Sequence, residues 1–212
     1  MENLNPEIYS QREMKAVDKF IGKCFGKFPT VFHELVSPDI HVDICLIPPD
    51  KDRNFHTLVT MGMGAHKMNV PGELAEYKLE RAELLITLPV DWQIPEKDEI
   101  WYWPIRLLKS TARLPINCDT WLGWGHTVDN QSAYADNTDF CGAMLIDPMV
   151  GKGNCCHLPN GEDVNFYQLI PLYREEMEYK LQNGAEELLK LLSETSFVVD
   201  INRINTAREK IQ

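Results

Sequence analysis

Residues 10–25 place apolar side chains with the period of a helix. Met14, Val17, Phe20, Ile21 and Cys24 share one face. Ser10 and Glu13 stand at capping-box spacing just ahead of that run, and Gly26 is a natural stop. The period then changes to two. Residues 30–35 alternate with β-branched and aromatic positions, and Ile40, Val42, Ile44 and Leu46 alternate with His41, Asp43 and Cys45. That pattern predicts strands with one core face, the second ended by Pro48 and Pro49. Residues 55–61 make a third strand, and the short connections predict an antiparallel meander. Residues 61–71 read as loop or bulged strand; their Gly-Met-Gly lacks the lysine and the following helix of a phosphate-binding loop. Ala82, Leu84, Ile86 and Leu88 mark a fourth strand closed by Pro89, with Glu80 and Glu83 expected to face water.

In the second half, Trp101, Tyr102, Trp103 and Pro104 open a helix striped by Ile105, Leu108 and Ala112, which Pro115 is expected to stop. Residues 121–130 (WLGWGHTVDN) read as a glycine-bearing turn or strand, and 140–146 as a buried strand. Asn160-Gly161 is a hairpin signal, following a loop around Cys155 that leads into a strand. Residues 164–172 form a strand that turns at Pro171 into a third helix, which Gly184 ends. A fourth helix over 185–192, a last strand over 197–201 and a polar, fraying tail complete the chain. This order is α+β: a mixed, largely antiparallel sheet with flanking helices.

Composition narrows the function. The chain has 212 residues, 44% hydrophobic and 25% charged, which suits one globular domain. No apolar run reaches the length of a membrane span, and the acidic, polar N-terminus is not a signal peptide, so a cytoplasmic location is expected. Six cysteines then read as reduced thiols. Only Cys155, Cys156 and His157 cluster, without the second ligand pair that zinc sites use, so neither a metal nor a cofactor is expected. A net charge of −11 argues against nucleic acid and anionic membrane as partners and suits a basic protein partner or simple solubility.

Seven stretches resemble the bacterial suppressor-of-fused-like domain family. They are LVTMGMGAHKMNVP (58–71), RAELLITLPVDW (81–92), WPIRLLKSTARLP (103–115), WLGWGHT (121–127), FCGAMLIDP (140–148), FYQLIPLYREEMEYKL (166–181) and VVDINR (198–203). Their order across the chain carries the resemblance. It implies an α/β sandwich, with an N-terminal helical extension at 1–29, the domain at 30–204 and a tail at 205–212. It also implies a non-enzymatic, protein-binding role. Bacterial members include immunity proteins that neutralise polymorphic toxins; animal members are longer and sequester transcription factors, and this chain is too short for their extra C-terminal domain. The family has no recognised catalytic set.

Candidate binding residues are Trp121, Trp124, His126 and Asp129 in the aromatic segment, and Glu175, Glu176 and Glu178 on the acidic third helix. Tryptophan dominates interface hot spots, and the glutamates would offer a docking patch to a basic partner; Glu176 is spaced to pair with Lys180 across a solvated face. Two other classes stay open. His126 with Asp129 or Cys141 would make a small hydrolase or a metal-dependent enzyme, although no nucleophile elbow or oxyanion-hole motif accompanies them. An exposed strand edge would support a homo-dimer or scaffold.

Overall fold

The computed structural model describes residues 6–192 and 197–210; of the expected N-terminal extension and tail, 1–5 and 211–212 lie outside the described residues. Ser10 caps α1 (Gln11–Cys24) by accepting from the Glu13 amide, while the Glu13 carboxylate takes the Ser10 amide. The meander follows as β1 (Thr30–Phe32), β2 (Asp43–Ile47), β3 (Phe55–Met61) and β4 (Ala82–Pro89). After α2 (Glu99–Cys118) come β5 (Thr127–Asp129), β6 (Gly142–Ile146), β7 (Cys155–His157) and β8 (Asp163–Leu172), then α3 (Arg174–Asn183) and α4 (Ala185–Leu191). The sheet order is β1-β2-β3-β4-β8-β6-β5, with β7 on the start of β8; β4–β8 is parallel and the other pairings are antiparallel. The fold is therefore the expected α+β arrangement, a mixed and largely antiparallel sheet flanked by helices.

Helices cover both faces. Trp103, Ile105 and Leu108 of α2 pack on Ile44, Leu58, Leu84, Ile86, Leu145 and Leu169. On the opposite face, Val17 and Ile21 of α1 pack on Cys45, Ile47, Val59, Leu85 and Phe166. Farther along that face Met177 and Leu188 of α3 and α4 cover Met144, Ile170 and Leu172. This layering corrects the expectation of a single core face for β2: Cys45 is as buried as Ile44, because α1 lies over its side.

The same covering explains the largest departure from the sequence reading. Glu83 does not face water; it has no accessible surface and sits on the α1 side of β4. Four donors meet it: Tyr9 Oη at 2.8 Å, the Gly62 amide at 2.8 Å and the Gly64 amide at 3.2 Å on Oε1, and Thr60 Oγ1 at 2.6 Å on Oε2. A buried carboxylate is tolerable only with such partners. Burial still raises its pKa, against the pull of those donors.

Pro48, Pro49 and Pro89 close their strands as expected, but Pro115 and Pro171 lie inside their elements. α2 runs through Pro115 to Cys118, and β8 runs through Pro171 to Leu172. Pro104 frees the Ile100 carbonyl, which accepts from Asn137 Nδ2 at 3.1 Å. The expected last strand shrinks to one bridge, Val198 with Thr87. The paired stretch of β8 on β4 ends at Leu85, and the buried Gln168 fastens the tail beyond that point: its Nε2 donates to Thr87 Oγ1 (3.1 Å) and the Phe197 carbonyl (2.8 Å). The predicted strand over 30–35 stops at Phe32. Rather than fraying, the described tail docks on α3, with Ala207 buried and Thr206 donating to Glu176.

Candidate partner-binding surface

Residues 121–126 turn between α2 and β5 against the end of β6. The Gly125 amide donates to the Leu145 carbonyl at 2.7 Å, and the Leu145 amide donates to the His126 carbonyl at 2.9 Å. Two glycines make this possible. Gly125 has φ +77°, and a Cβ at Gly123 would lie 2.5 Å from the Trp121 ring. His126 packs edge-on against Trp121 with centroids 4.3 Å apart, and burial lowers its pKa, so the neutral ring is favoured. Trp124 is the exposed one of the five tryptophans: it sits in the turn with 42% of its surface exposed, whereas Trp92 and Trp103 are core.

The turn abuts the α3–α4 corner, where a Gly125 Cβ would meet Ala185 at 3.2 Å. Asp129 ends β5 and receives both guanidinium arms of Arg174, at 2.7 and 2.9 Å; that pairing holds its carboxyl below the usual range. Glu178 follows Arg174 by one helical turn and is exposed; Leu181 follows by two turns and is 73% exposed. Glu175 is half-buried and accepts from Asn205 Nδ2 at 2.8 Å.

Glu176 departs from the expected acidic patch. It is fully buried, so neither the surface pair with Lys180 nor direct docking is open to it. It caps the Tyr173 amide (3.1 Å) and meets Arg203 through two 2.5 Å bonds. Arg203 in turn lies 4.9 Å from the Phe140 and Tyr173 ring centroids. The role of Arg203 was missed because it stands in a polar tail segment; the acid-to-base complementarity of α3 and VVDINR is the signal that pairs them.

The residues considered for catalysis do not converge. Asn130 bonds the Cys141 carbonyl and Leu145 bonds that of His126, so Cys141 and His126 lie four residues apart along the ladder, about 13 Å. Burial pushes the Cys141 thiol up, away from the reactive thiolate. Asp129 is engaged by Arg174 rather than His126. Sequence reasoning also missed a polar chain at β1–β2: Ser37 Oγ lies 2.8 Å from His41 Nδ1, and His41 Nε2 lies 3.0 Å from Asp43 Oδ1. Although that order has the connectivity of a nucleophile relay, Glu34 Oε2 sits 3.0 Å from the same hydroxyl, where its charge opposes a developing oxyanion. Glu34 is itself held by Arg113 of α2 at 2.7 Å, so the chain fastens this loop to the helix.

Among the described residues no helix is long and apolar enough to cross a membrane. The family model for suppressor of fused protein matches residues 38–204. An uncharacterized protein of Ureaplasma parvum is 28% identical over 199 residues, covering 92% of this chain and 96% of its own. The fold is similar to a chain of the Sufu–Fu complex crystal structure, with TM-score 0.64 and 15% identity over 95% of this chain and 93% of that one. A suppressor of fused homologue from Neisseria gonorrhoeae gives TM-score 0.59 and 18% identity, covering 93% of this chain and 96% of that one. Drosophila Suppressor of Fused gives 0.56 and 15%, covering 78% of this chain and 42% of that one.

Proposed function

The chain belongs to the suppressor of fused protein family, and from that premise we propose that it is a non-enzymatic binding module that neutralises a toxin domain by stoichiometric occlusion. One observation carries the reading: a glycine-built turn that abuts the α3–α4 corner at Ala185 presents Trp124 to solvent, and Glu178 and Leu181 of α3 are exposed as well. A tryptophan held by its backbone gives large apolar contact at little entropic cost, and an acidic rim steers a basic partner. The net charge of −11 supports the same polarity of partner. The similar chain in the Sufu–Fu structure is part of a protein complex, in keeping with this use of the fold. The test is co-expression with the neighbouring reading frame of the native host. Growth arrest by that product, relieved by this chain and not by Trp124→Ala, is expected. A neighbour without toxicity, or toxicity that this chain leaves unchanged, contradicts the reading.

A second reading, self-association, is favoured by β1 and β5, which end the sheet among the described residues, and by Leu35 and Val36, which stand exposed just beyond β1. Sedimentation at micromolar concentration separates the two: a dimer supports self-association, and a lone monomer removes it.

A further inference from the structure

The β7–β8 hairpin gathers metal-ligating chemistry that the binding surface does not use. Its register sets Cys155 opposite Asn165, Cys156 opposite Val164 and His157 opposite Asp163. Alternation therefore puts Cys155 and His157 on one face together with Asp163 and Asn165, while Cys156 is buried on the other against the α1 core. His157 Nδ1 lies 2.6 Å from Asp163 Oδ1 and 4.0 Å from Cys155 Sγ. One ligand atom from each of the three lies within 4.8 Å of the others. A tetrahedral zinc ion with bonds of about 2.0–2.3 Å spaces its ligand atoms at roughly 3.3–3.8 Å, which small rotations of these side chains reach.

We propose that Cys155, His157 and Asp163 form a site for a thiophilic divalent cation of the zinc type. Thiolate with imidazole and carboxylate suits zinc over magnesium or calcium. Three protein ligands leave a fourth position for water or for the side-chain oxygen of Asn165, whose Nδ2 is already committed to the Lys78 carbonyl at 2.9 Å. On binding, the Cys155 Sγ–H bond gives way to an Sγ–metal bond and the proton leaves to solvent. Lys78 lies 3.5 Å from Asp163 Oδ2, while on binding Oδ1 and His157 Nδ1 exchange their mutual hydrogen bond for bonds to the metal, the imidazole proton then residing on Nε2. His157 is 80% exposed at its side chain, so the ion enters directly from solvent. Sequence spacing hid this site because its third ligand arrives across a hairpin rather than along the chain.

The full-length chain titrated with cobalt(II) tests the proposal. A sulfur-to-cobalt charge-transfer band with visible bands of tetrahedral cobalt is expected, displaced by zinc. Cys155→Ser should abolish the charge-transfer band, His157→Ala should weaken cobalt binding at least roughly tenfold, and Cys118→Ser, at the exposed end of α2, should leave both unchanged. Circular dichroism checks that each variant is folded. The proposal is overturned by absence of the band in the wild type, by its persistence in Cys155→Ser, or by equal loss in Cys118→Ser.

Discussion

Glu83 on β4 and Glu178 on α3 are the same side chain in opposite settings. Glu83 lies under α1, takes four hydrogen bonds from neutral donors and has no accessible surface. Glu178 stands exposed on α3. The β1–β4 end of the molecule turns its polar groups inward: Glu83 ties the segment before α1 to the sheet, and Glu34 ties the β1–β2 loop to α2. The β5–α3 end leaves Trp124, Glu178 and Leu181 outside. One end spends its charge on cohesion and the other keeps it available, so the two ends should answer mutation differently.

Glu176 should give the largest effect, because it belongs by sequence to the exposed end and by burial to the cohesive one. Glu176→Ala leaves Arg203 uncompensated among Phe140 and Tyr173, and should cost about 3–5 kcal/mol in chemical denaturation. A cost below about 1 kcal/mol would place Glu176 with the surface residues instead.

Next is Glu83. Glu83→Ala should cost about 3 kcal/mol through four donors stripped of their acceptor. Glu83→Gln should cost about 1 kcal/mol or less at neutral pH, since its amide can donate to Thr60 Oγ1, whose own proton then turns to the Leu84 carbonyl 3.3 Å away. Burial raises the Glu83 carboxyl in the fold, so protonation favours the native state. The contribution is complete below the unfolded value, about 4.3, and is lost as pH rises through the raised folded value. Wild type should therefore gain melting temperature relative to Glu83→Gln as pH falls through the raised folded value toward about 4.3; a relative loss would reverse the assignment.

His126→Ala, removing the ring that packs on Trp121, should cost about 1 kcal/mol. Smallest in stability are Trp124→Ala and Glu178→Lys, each within about 0.5 kcal/mol by denaturation. Their effect should fall on partner affinity, with Trp124→Ala weakening it at least roughly tenfold, or about 1.4 kcal/mol. A large stability loss from either variant would erase the contrast between the two ends.

Periodicity made the meander, both long helices and the aromatic turn legible, because those elements are set by local alternation and caps. It could not show which faces are covered. Two helical layers bury both sides of β2 and β4, so Cys45 and Glu83 read as outward yet lie inside. Prolines 115 and 171 read as stops because their missing N–H is a local defect; α2 and β8 continue past them, held by packing on the sheet and by pairing with β6. Among the candidate site residues, Trp124 and Glu178 stand exposed as a binding surface requires, whereas Glu176 pairs with an arginine 27 residues away that no local pattern announces.

The central claim is that this chain works by holding a protein partner at the Trp124 end. The direct measurement is affinity purification from the native host with wild type and Trp124→Ala, followed by calorimetric titration of the recovered protein against both. The account predicts a one-to-one complex with wild type, at least about tenfold weaker for the variant, at equal melting temperatures. No stoichiometric partner, or equal affinity for both chains, would contradict it.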